Sequence, residues 1–388
     1  MPASLAARTL ARPSFEEAFA APAFLRAMLA FESALAEAQA AEGVIPASSA
    51  AAIATACARL EIDIEALVRE AKRSATLAVP LVNALGTEVS RLSGPAATHV
   101  HLGATSQDVI DTAMALCLKT CLDEADRELE AAVRSLARRA REHRSTPMLG
   151  RTLMQPALPI TAGLKIARWA VALAQDRERI AEAQARGLAV QFGGPVGALE
   201  SLGAKGPAVR HRVANRLGLA DAPAWHVHRN AWIDLLDRVG QAALAAGTIA
   251  RDVSLAAQPE VGEMLESPPQ PGVGASSSMP HKRNPVACAH ALAAAVRMPG
   301  LLATLHAGIP EHERALGAWQ AEFSVVPEIA GAFGTSLDFL GTIASSLVVN
   351  AARMKENLIA YSEPGSAPPE AVHCAVDELL ATLAPYLS

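Results

Sequence analysis

The chain has 388 residues, 51% of them hydrophobic, and a formal net charge of −5 at pH 7. That length and apolar content allow a large buried core. The slight excess of acidic residues excludes a long-range attraction to nucleic acid or to an anionic membrane, but a local cationic site for a small anion remains open.

Cysteine usage and the N-terminus indicate a protein of a reducing compartment. The five cysteines are odd in number and scattered, which is typical of free intracellular thiols rather than of disulfides or a zinc site. The N-terminus lacks a signal-peptide layout, and no uninterrupted apolar run reaches about 18 residues. We therefore expect a cytoplasmic protein without a membrane span.

Helical spacing of apolar residues runs along almost the whole chain. The predicted helices are residues 22–42, 48–59, 62–72, 80–92, 106–144, 158–186, 208–217, 228–257, 285–305, 311–348 and 369–386. Several exceed the usual mean of about 12 residues, and no convincing strand alternation is found. These lengths predict an all-α fold built as a bundle of long helices.

The helical pattern divides the chain into three regions. We expect an N-terminal helical domain over residues 1–104 and a central long-helix bundle over 105–348. An abbreviated C-terminal helical segment follows over 349–388. The stretch 241–250 within the central helices carries no charge, which favours burial against other subunits, with a deep core of one chain as the alternative.

A polar loop interrupts the central helices at residues 272–285. Glycines and prolines break the helical pattern there, and the sequence ASSSMPHKRNP (275–285) places serines, a lysine and an asparagine between two long helices. Polar loops on a rigid scaffold often carry catalytic groups.

A second polar cluster, HVHLGATSQD (99–108), precedes the longest predicted helix. Thr105 or Ser106 is suited to the N-cap position, and Asp108 to the first turn. The cluster is either a cap alone or an anion site at a helix N-terminus. A metal site at His99 and His101 is a weaker alternative, because no further ligands lie nearby in sequence.

The third cluster is GRTLMQP (150–156), in which Pro156 is expected to open the following helix. Other polar segments carry weaker indications. Gly193–Gly197 is interpreted as a tight connector, and His226 and His228 as surface loop residues. Residues 311–314 are interpreted as a solvated helix start, with a position lining a site as the weaker alternative.

Together these clusters resemble the fumarase/aspartase superfamily, whose characteristic loop reads GSSxMPxKxN. The matching segment is ASSSMPHKRN (275–284), in which Ala275 replaces the first glycine. The resemblance covers residues 14 to 357 or so. Within the superfamily the chain resembles the 3-carboxy-cis,cis-muconate cycloisomerase branch, which closes its substrate to a lactone.

Two departures separate the chain from the superfamily's elimination enzymes. Those enzymes usually carry a histidine where this chain has Leu153, and adenylosuccinate lyases carry another upstream of His101, where this chain has none. Two alternatives remain: a lyase that releases fumarate from a succinyl-type substrate, and a catalytically silent helical assembly protein.

The resemblance implies a role for each matching residue. Ser276 would carry the proton, Lys282 would stabilise the negative intermediate, and His101 would be an acid–base partner. Implied substrate-binding residues are Thr105, Ser106, Gln155, Ser277, Met279 and Asn284. The superfamily also implies a small polycarboxylate substrate, no metal or organic cofactor, no nucleic-acid or membrane partner, and a homotetramer with active sites shared between subunits.

Overall fold

The computed structural model describes residues 5–267, 272–276, 278–279 and 281–387. Ser277 lies outside the described residues. The helices are α1 Pro13–Ala18, α2 Ala21–Ala41, α3 Ala47–Arg59, α4 Ile64–Ser74, α5 Ala78–Leu92, α6 Ser106–Glu142, α7 Ala162–Gly187, α8 Gly206–Leu217, α9 Asn230–Ala256, α10 Val286–Ala307, α11 Ala318–Ser346, α12 Ala351–Tyr361 and α13 Glu370–Thr382. The strands are β1 Pro147–Thr152, β2 Gln155–Thr161, β3 Met264–Glu266 and β4 Leu347–Val349. The predicted all-α class is confirmed.

Five long helices, α6, α7, α9, α10 and α11, form the central bundle. The buried Arg229, just before α9, forms ion pairs with Asp111 of α6 and Glu322 of α11, so these three helices begin at the same end. Helices α7 and α10 run in the opposite direction. For α10 this is shown by His306, at its end, which bonds Asp237 near the start of α9. The bundle is therefore up-and-down, with short helices packed around it.

The structure corrects the prediction that no strand would be found and that a helix would begin at Leu158. Residues 147–161 form the antiparallel hairpin β1–β2, with Leu153 and Met154 as its two-residue turn. Both turn residues have positive φ, 49° and 64°, which is the type I′ turn of tight hairpins. Pro156 therefore lies in a strand, where a two-stranded edge tolerates it, and α7 begins at Ala162.

The region before α11 also differs from prediction. The expected helix over 311–348 begins only at Ala318, and residues 311–314 belong to a loop rather than to a solvated helix start. His312 and Gly317 have positive φ, 52° and 88°, a conformation that a right-handed helix does not contain. At its other end α11 gives way to β4, which pairs with β3.

Helix α10 is strongly apolar, although His290 and Arg297 interrupt it. By length and composition alone it could span a membrane, with a mean hydropathy of 1.5, yet only 22% of that window is buried. It packs against α9 and α11 within the bundle. A large apolar surface of α10 is therefore left uncovered in a single chain.

Helix α7 packs closely against the end of α6 at Gly163, where a larger residue would not fit. A Cβ at Gly163 would lie 2.7 Å from the Ala140 carbonyl oxygen and 2.8 Å from the His143 carbonyl oxygen, both backbone atoms. We expect Gly163→Ala to destabilise the protein by about 1 kcal/mol or more through overpacking. The matched Gly86→Ala, in open space within α5, should stabilise it by about 0.5–1 kcal/mol. Urea midpoints at fixed protein concentration compare them, and a neutral Gly163→Ala would contradict this packing.

Candidate functional site

The start of α6 brings His101, Thr105 and Ser106 together. Thr105 is the N-cap residue, and its backbone N–H donates to the Asp108 carboxylate at 3.0 Å. Ser106 is the first residue of the helix and is partly exposed. Free N–H groups and hydroxyls at the N-terminus of a 37-residue helix favour a bound anion.

Arg314 adds a cation to this cluster, although the sequence favours a solvated helix start over a position in a site for residues 311–314. It lies in the loop before α11, and its Nη1 donates to the Thr105 hydroxyl at 2.7 Å. The side chain is partly buried, with its guanidinium at the helix start. Arg314 and Thr105 are 209 residues apart, so the sequence alone does not reveal this contact. The neighbouring charged residues favour the interpretation of a solvated segment.

Asp108 fastens the start of α6 to a distant part of the chain. Its carboxylate is fully buried and accepts hydrogen bonds from the Gly193 and Gly194 N–H groups at 3.1 and 2.9 Å. It also lies 2.8 Å from Nε2 of His226. His226 is only 3% exposed, so the prediction of a surface loop residue was wrong, whereas His228 is exposed.

A second buried cluster lies one turn further along α6. The Arg229 guanidinium bonds Asp111 at 2.8 Å and Glu322 at 2.7 Å. The indole N–H groups of Trp319 and Trp232 donate to Asp111 and Glu322 respectively. Burial alone would lower the pKa of Arg229, but the two carboxylates outweigh it and raise that pKa. The guanidinium therefore stays charged inside the bundle.

His99 and His101 bond to different partners. Nδ1 of His99 lies 3.1 Å from the Ser49 hydroxyl, and Nδ1 of His101 lies 2.5 Å from Oε1 of Glu32. The pair therefore does not converge on one point, and no group of three metal-ligating side chains is found among the residues that the structure describes.

The loop of residues 272–285 is closed by its own backbone. Gly274, with φ +73°, accepts from the N–H of Asn284 at 2.8 Å and from its side-chain amide at 3.2 Å. The Ser276 hydroxyl accepts from the N–H groups of Ser278 and Met279, at 3.4 and 3.2 Å. Two donors aimed at Oγ favour a serine oxygen that carries negative charge. Lys282 and Met279 are exposed on the same loop.

Glu266 fixes the base of this loop. Its carboxylate accepts from the N–H groups of Ala287 and Cys288, both at 3.0 Å, at the start of α10. A carboxylate at a helix N-terminus satisfies free donors and complements the helix dipole. Glu266 ends β3, so the two ends of the loop are held next to each other.

The β1–β2 hairpin carries Gln155 and Leu153 at the same end of the bundle as the loop. Arg151 pairs with the buried Glu263, through two bonds of 2.8 Å, next to β3. Gln155 is exposed near the hairpin tip, and Leu153 is 97% exposed. Such an exposed apolar tip is suited to contact with another molecule.

One chain does not bring the two groups of residues together. Ser135, late in α6, bonds the Ala344 carbonyl near the end of α11, which leads to β4, β3 and the loop. The 29 residues between Ser106 and Ser135 correspond to about 40 Å of helix. His101, Thr105 and Ser106 therefore lie at one end of the bundle, and Ser276, Met279, Lys282, Asn284 and Gln155 at the other.

Comparison with known proteins identifies the family. A family model described as a lyase matches residues 7–300. The chain belongs to this lyase family. The crystal structure of 3-carboxy-cis,cis-muconate lactonizing enzyme from Pseudomonas putida matches 99% of the chain and 88% of its own length, with a TM-score of 0.86 and 37% identity. The predicted membership of the fumarase/aspartase superfamily is confirmed.

Two curated relatives show the range of named activities. The 3-carboxy-cis,cis-muconate cycloisomerase of Bradyrhizobium diazoefficiens is 47% identical over 86% of this chain and 74% of the relative. The nitrosuccinate lyase of Streptomyces davaonensis is 39% identical over 88% of this chain and 74% of that relative.

The buried Asp108 gives a stability prediction. Asp108→Asn keeps the shape but removes the charge that faces His226 and two glycine amides, so we expect a loss of about 3 kcal/mol in unfolding free energy. The control Asp123→Asn, which breaks an exposed pair with Lys119 on the same helix, should change it by about 0.5 kcal/mol or less. Equal urea midpoints for the two variants would contradict the role of Asp108.

Proposed function

We propose that this protein is a 3-carboxy-cis,cis-muconate cycloisomerase, which closes the muconate to 4-carboxymuconolactone. The observation that carries the proposal is the 47% identity to the Bradyrhizobium cycloisomerase over 86% of the chain. Leu153 supports it, because its side chain at the hairpin tip offers no proton donor where the superfamily's elimination enzymes usually carry a histidine.

The reaction needs stabilised negative charge and a proton carrier. One carboxylate oxygen adds across a C=C bond conjugated to a second carboxylate, and the displaced electron pair moves onto that second carboxylate. Protonation at the α-carbon then completes the lactone. The site must therefore provide donors for the developing oxyanion and a group that delivers a proton to carbon.

The loop residues supply these functions in our proposal. Ser276 delivers the proton, and the Ser278 and Met279 amides that donate to its Oγ stabilise the resulting alkoxide. Lys282 neutralises the aci-carboxylate. Asn284 uses one side-chain N–H to close the loop on Gly274, which leaves the other for a substrate carboxylate.

The start of α6 binds a carboxylate that does not react. Thr105 and Ser106 offer hydroxyls and helix N–H groups. Arg314 adds a guanidinium group, which donates a hydrogen bond to the Thr105 hydroxyl. Gln155 approaches from the hairpin of another chain, because within one chain it lies at the opposite end of the bundle. A substrate with three carboxylates thus meets one cation at each end of the site, Arg314 and Lys282.

The distance between the two groups supports an oligomer with shared sites. A site made of both needs at least two chains, because about 40 Å of α6 separates them within one chain. Exposed small and apolar residues on α10, at positions 289, 296, 300, 303 and 307, allow close packing of helices from other subunits. We propose a homotetramer, which is the assembly that the resemblance to the fumarase/aspartase superfamily implies. All five cysteines are free, which supports a cytoplasmic location.

Variants of the loop test the proposed chemistry. Loss of the diene absorbance of 3-carboxy-cis,cis-muconate measures turnover by the purified protein. We expect Ser276→Ala and Lys282→Met each to lower kcat by about 10²–10⁴-fold, while Lys355→Met, an exposed lysine on α12, keeps wild-type turnover. Wild-type kcat in either loop variant would remove that residue from the mechanism.

The same preparation separates cyclisation from elimination. Succinyl-type substrates and nitrosuccinate are offered in turn, and formation of the conjugated product fumarate is followed by its ultraviolet absorbance. Efficient elimination together with no change in the muconate would overturn the proposed function in favour of the lyase alternative.

A further inference from the structure

Glu32 is an acidic residue inside an apolar helix face. It lies in α2, is 1% exposed, and is surrounded in sequence by the buried Leu29, Phe31 and Leu35. Its Oε1 is 2.5 Å from Nδ1 of His101, while its Oε2 is buried without a hydrogen-bond partner among the described residues. A buried carboxylate with one oxygen unsatisfied requires a compensating charge close by.

The same helix face also holds the backbone of the His101 turn. Gln39, seven residues after Glu32 and equally buried, donates from Nε2 to the Leu102 carbonyl at 2.6 Å. His101 itself has φ +58°, a left-handed conformation that a non-glycine residue adopts only when its surroundings impose it. Helix α2 therefore fixes both the side chain of His101 and the turn that carries it.

Two carboxylates act on His101, Glu32 on α2 and Asp108 on α6. The cation Arg314 bonds Thr105, four residues further along the chain. Cys57 on α3 remains a neutral thiol, since burial, reinforced by Glu32, raises its pKa to about 12. Burial alone would lower the pKa of His101, but Glu32 and then Asp108 outweigh it and raise that pKa.

We propose that Glu32 is a positioning residue that holds His101 as an imidazolium, with Nε2–H directed to a carboxylate of the substrate bound at the start of α6. Because Nδ1 is bonded to Glu32, Nε2 is the ring nitrogen left for a ligand, and the side chain is 16% exposed. This inference rests on the proposed function. It adds a second charged donor to the helix start that Arg314 contacts. It assigns to α2, outside the polar clusters, a part in substrate recognition.

The test compares pH profiles of kcat/KM for carboxymuconate. His101 is charged below its pKa, so wild-type activity should fall as pH rises through that value. Glu32→Gln removes the charge but keeps the shape, and should move this fall to lower pH by about one unit or more. The expected loss is therefore about 10-fold or more at pH values above the wild-type fall, and small at pH values below the fall of both proteins.

Two control variants distinguish charge from structure. Glu32→Asp retains the carboxylate, so kcat/KM should fall at the same pH as in the wild type. Gln39→Met loosens the turn without changing any charge, and should lower activity by the same factor at all pH values. If Glu32→Gln, like Gln39→Met, lowered activity by the same factor at all pH values, the proposal would be overturned.

A second measurement needs no turnover. In protein labelled with ¹³C-histidine, the signal absent from His101→Gln belongs to His101, and its titration gives the midpoint directly. We expect a midpoint above the ordinary value of about 6.5 in the wild type, and a lower one in Glu32→Gln. An ordinary midpoint in the wild type would refute the imidazolium, even if Glu32→Gln does not fold. Absence of muconate turnover with a raised midpoint would refute only the proposed function.

Discussion

Two buried carboxylates near the start of α6, Asp108 and Asp111, hold together the end of the bundle on which the rest of the site is built. Asp108 accepts hydrogen bonds from the Gly193 and Gly194 amides and contacts His226. Asp111 and Glu322 both form ion pairs with Arg229. Each carboxylate therefore joins α6 to segments more than 80 residues away. Because buried charges are stable only when they are paired, these contacts permit one arrangement of the helix starts.

That arrangement determines what the helix start can bind. Once Asp108 has fixed the N-cap turn, Thr105 and Ser106 present hydroxyls and helix N–H groups, and Arg314 reaches Thr105 from the loop before α11. At the opposite end the fixed element is Glu266, which closes the base of the loop onto α10. The scaffold thus holds two separate groups of hydrogen-bond donors and cations at opposite ends of the bundle. In the proposed assembly, a polycarboxylate substrate binds between two chains, each of which provides one of these groups.

Most of the long helices and the position of the polar loop between two of them could be predicted from the sequence, since both depend on local patterns. The stretch 106–144 shows continuous apolar spacing, and α6 occupies almost all of it. The β1–β2 hairpin could not be predicted, because Leu153 and Met154 lack the asparagine and glycine that usually mark a type I′ turn. The contacts of Arg314, His226 and Glu32 could not be predicted for another reason. Their partners are 69 to 209 residues away, and no local pattern encodes such contacts.

The proposed function requires one active site to combine the start of α6 from one chain with the loop from another. Mixing two inactive proteins tests it most directly, namely Lys282→Met and a Thr105→Val/Ser106→Ala double variant, dissociated and reassembled together. If subunits mix at random, about a quarter of the sites receive both intact parts, and muconate turnover should return to about that fraction of wild type. Mixed assemblies that remain as inactive as either parent would contradict a site shared between subunits.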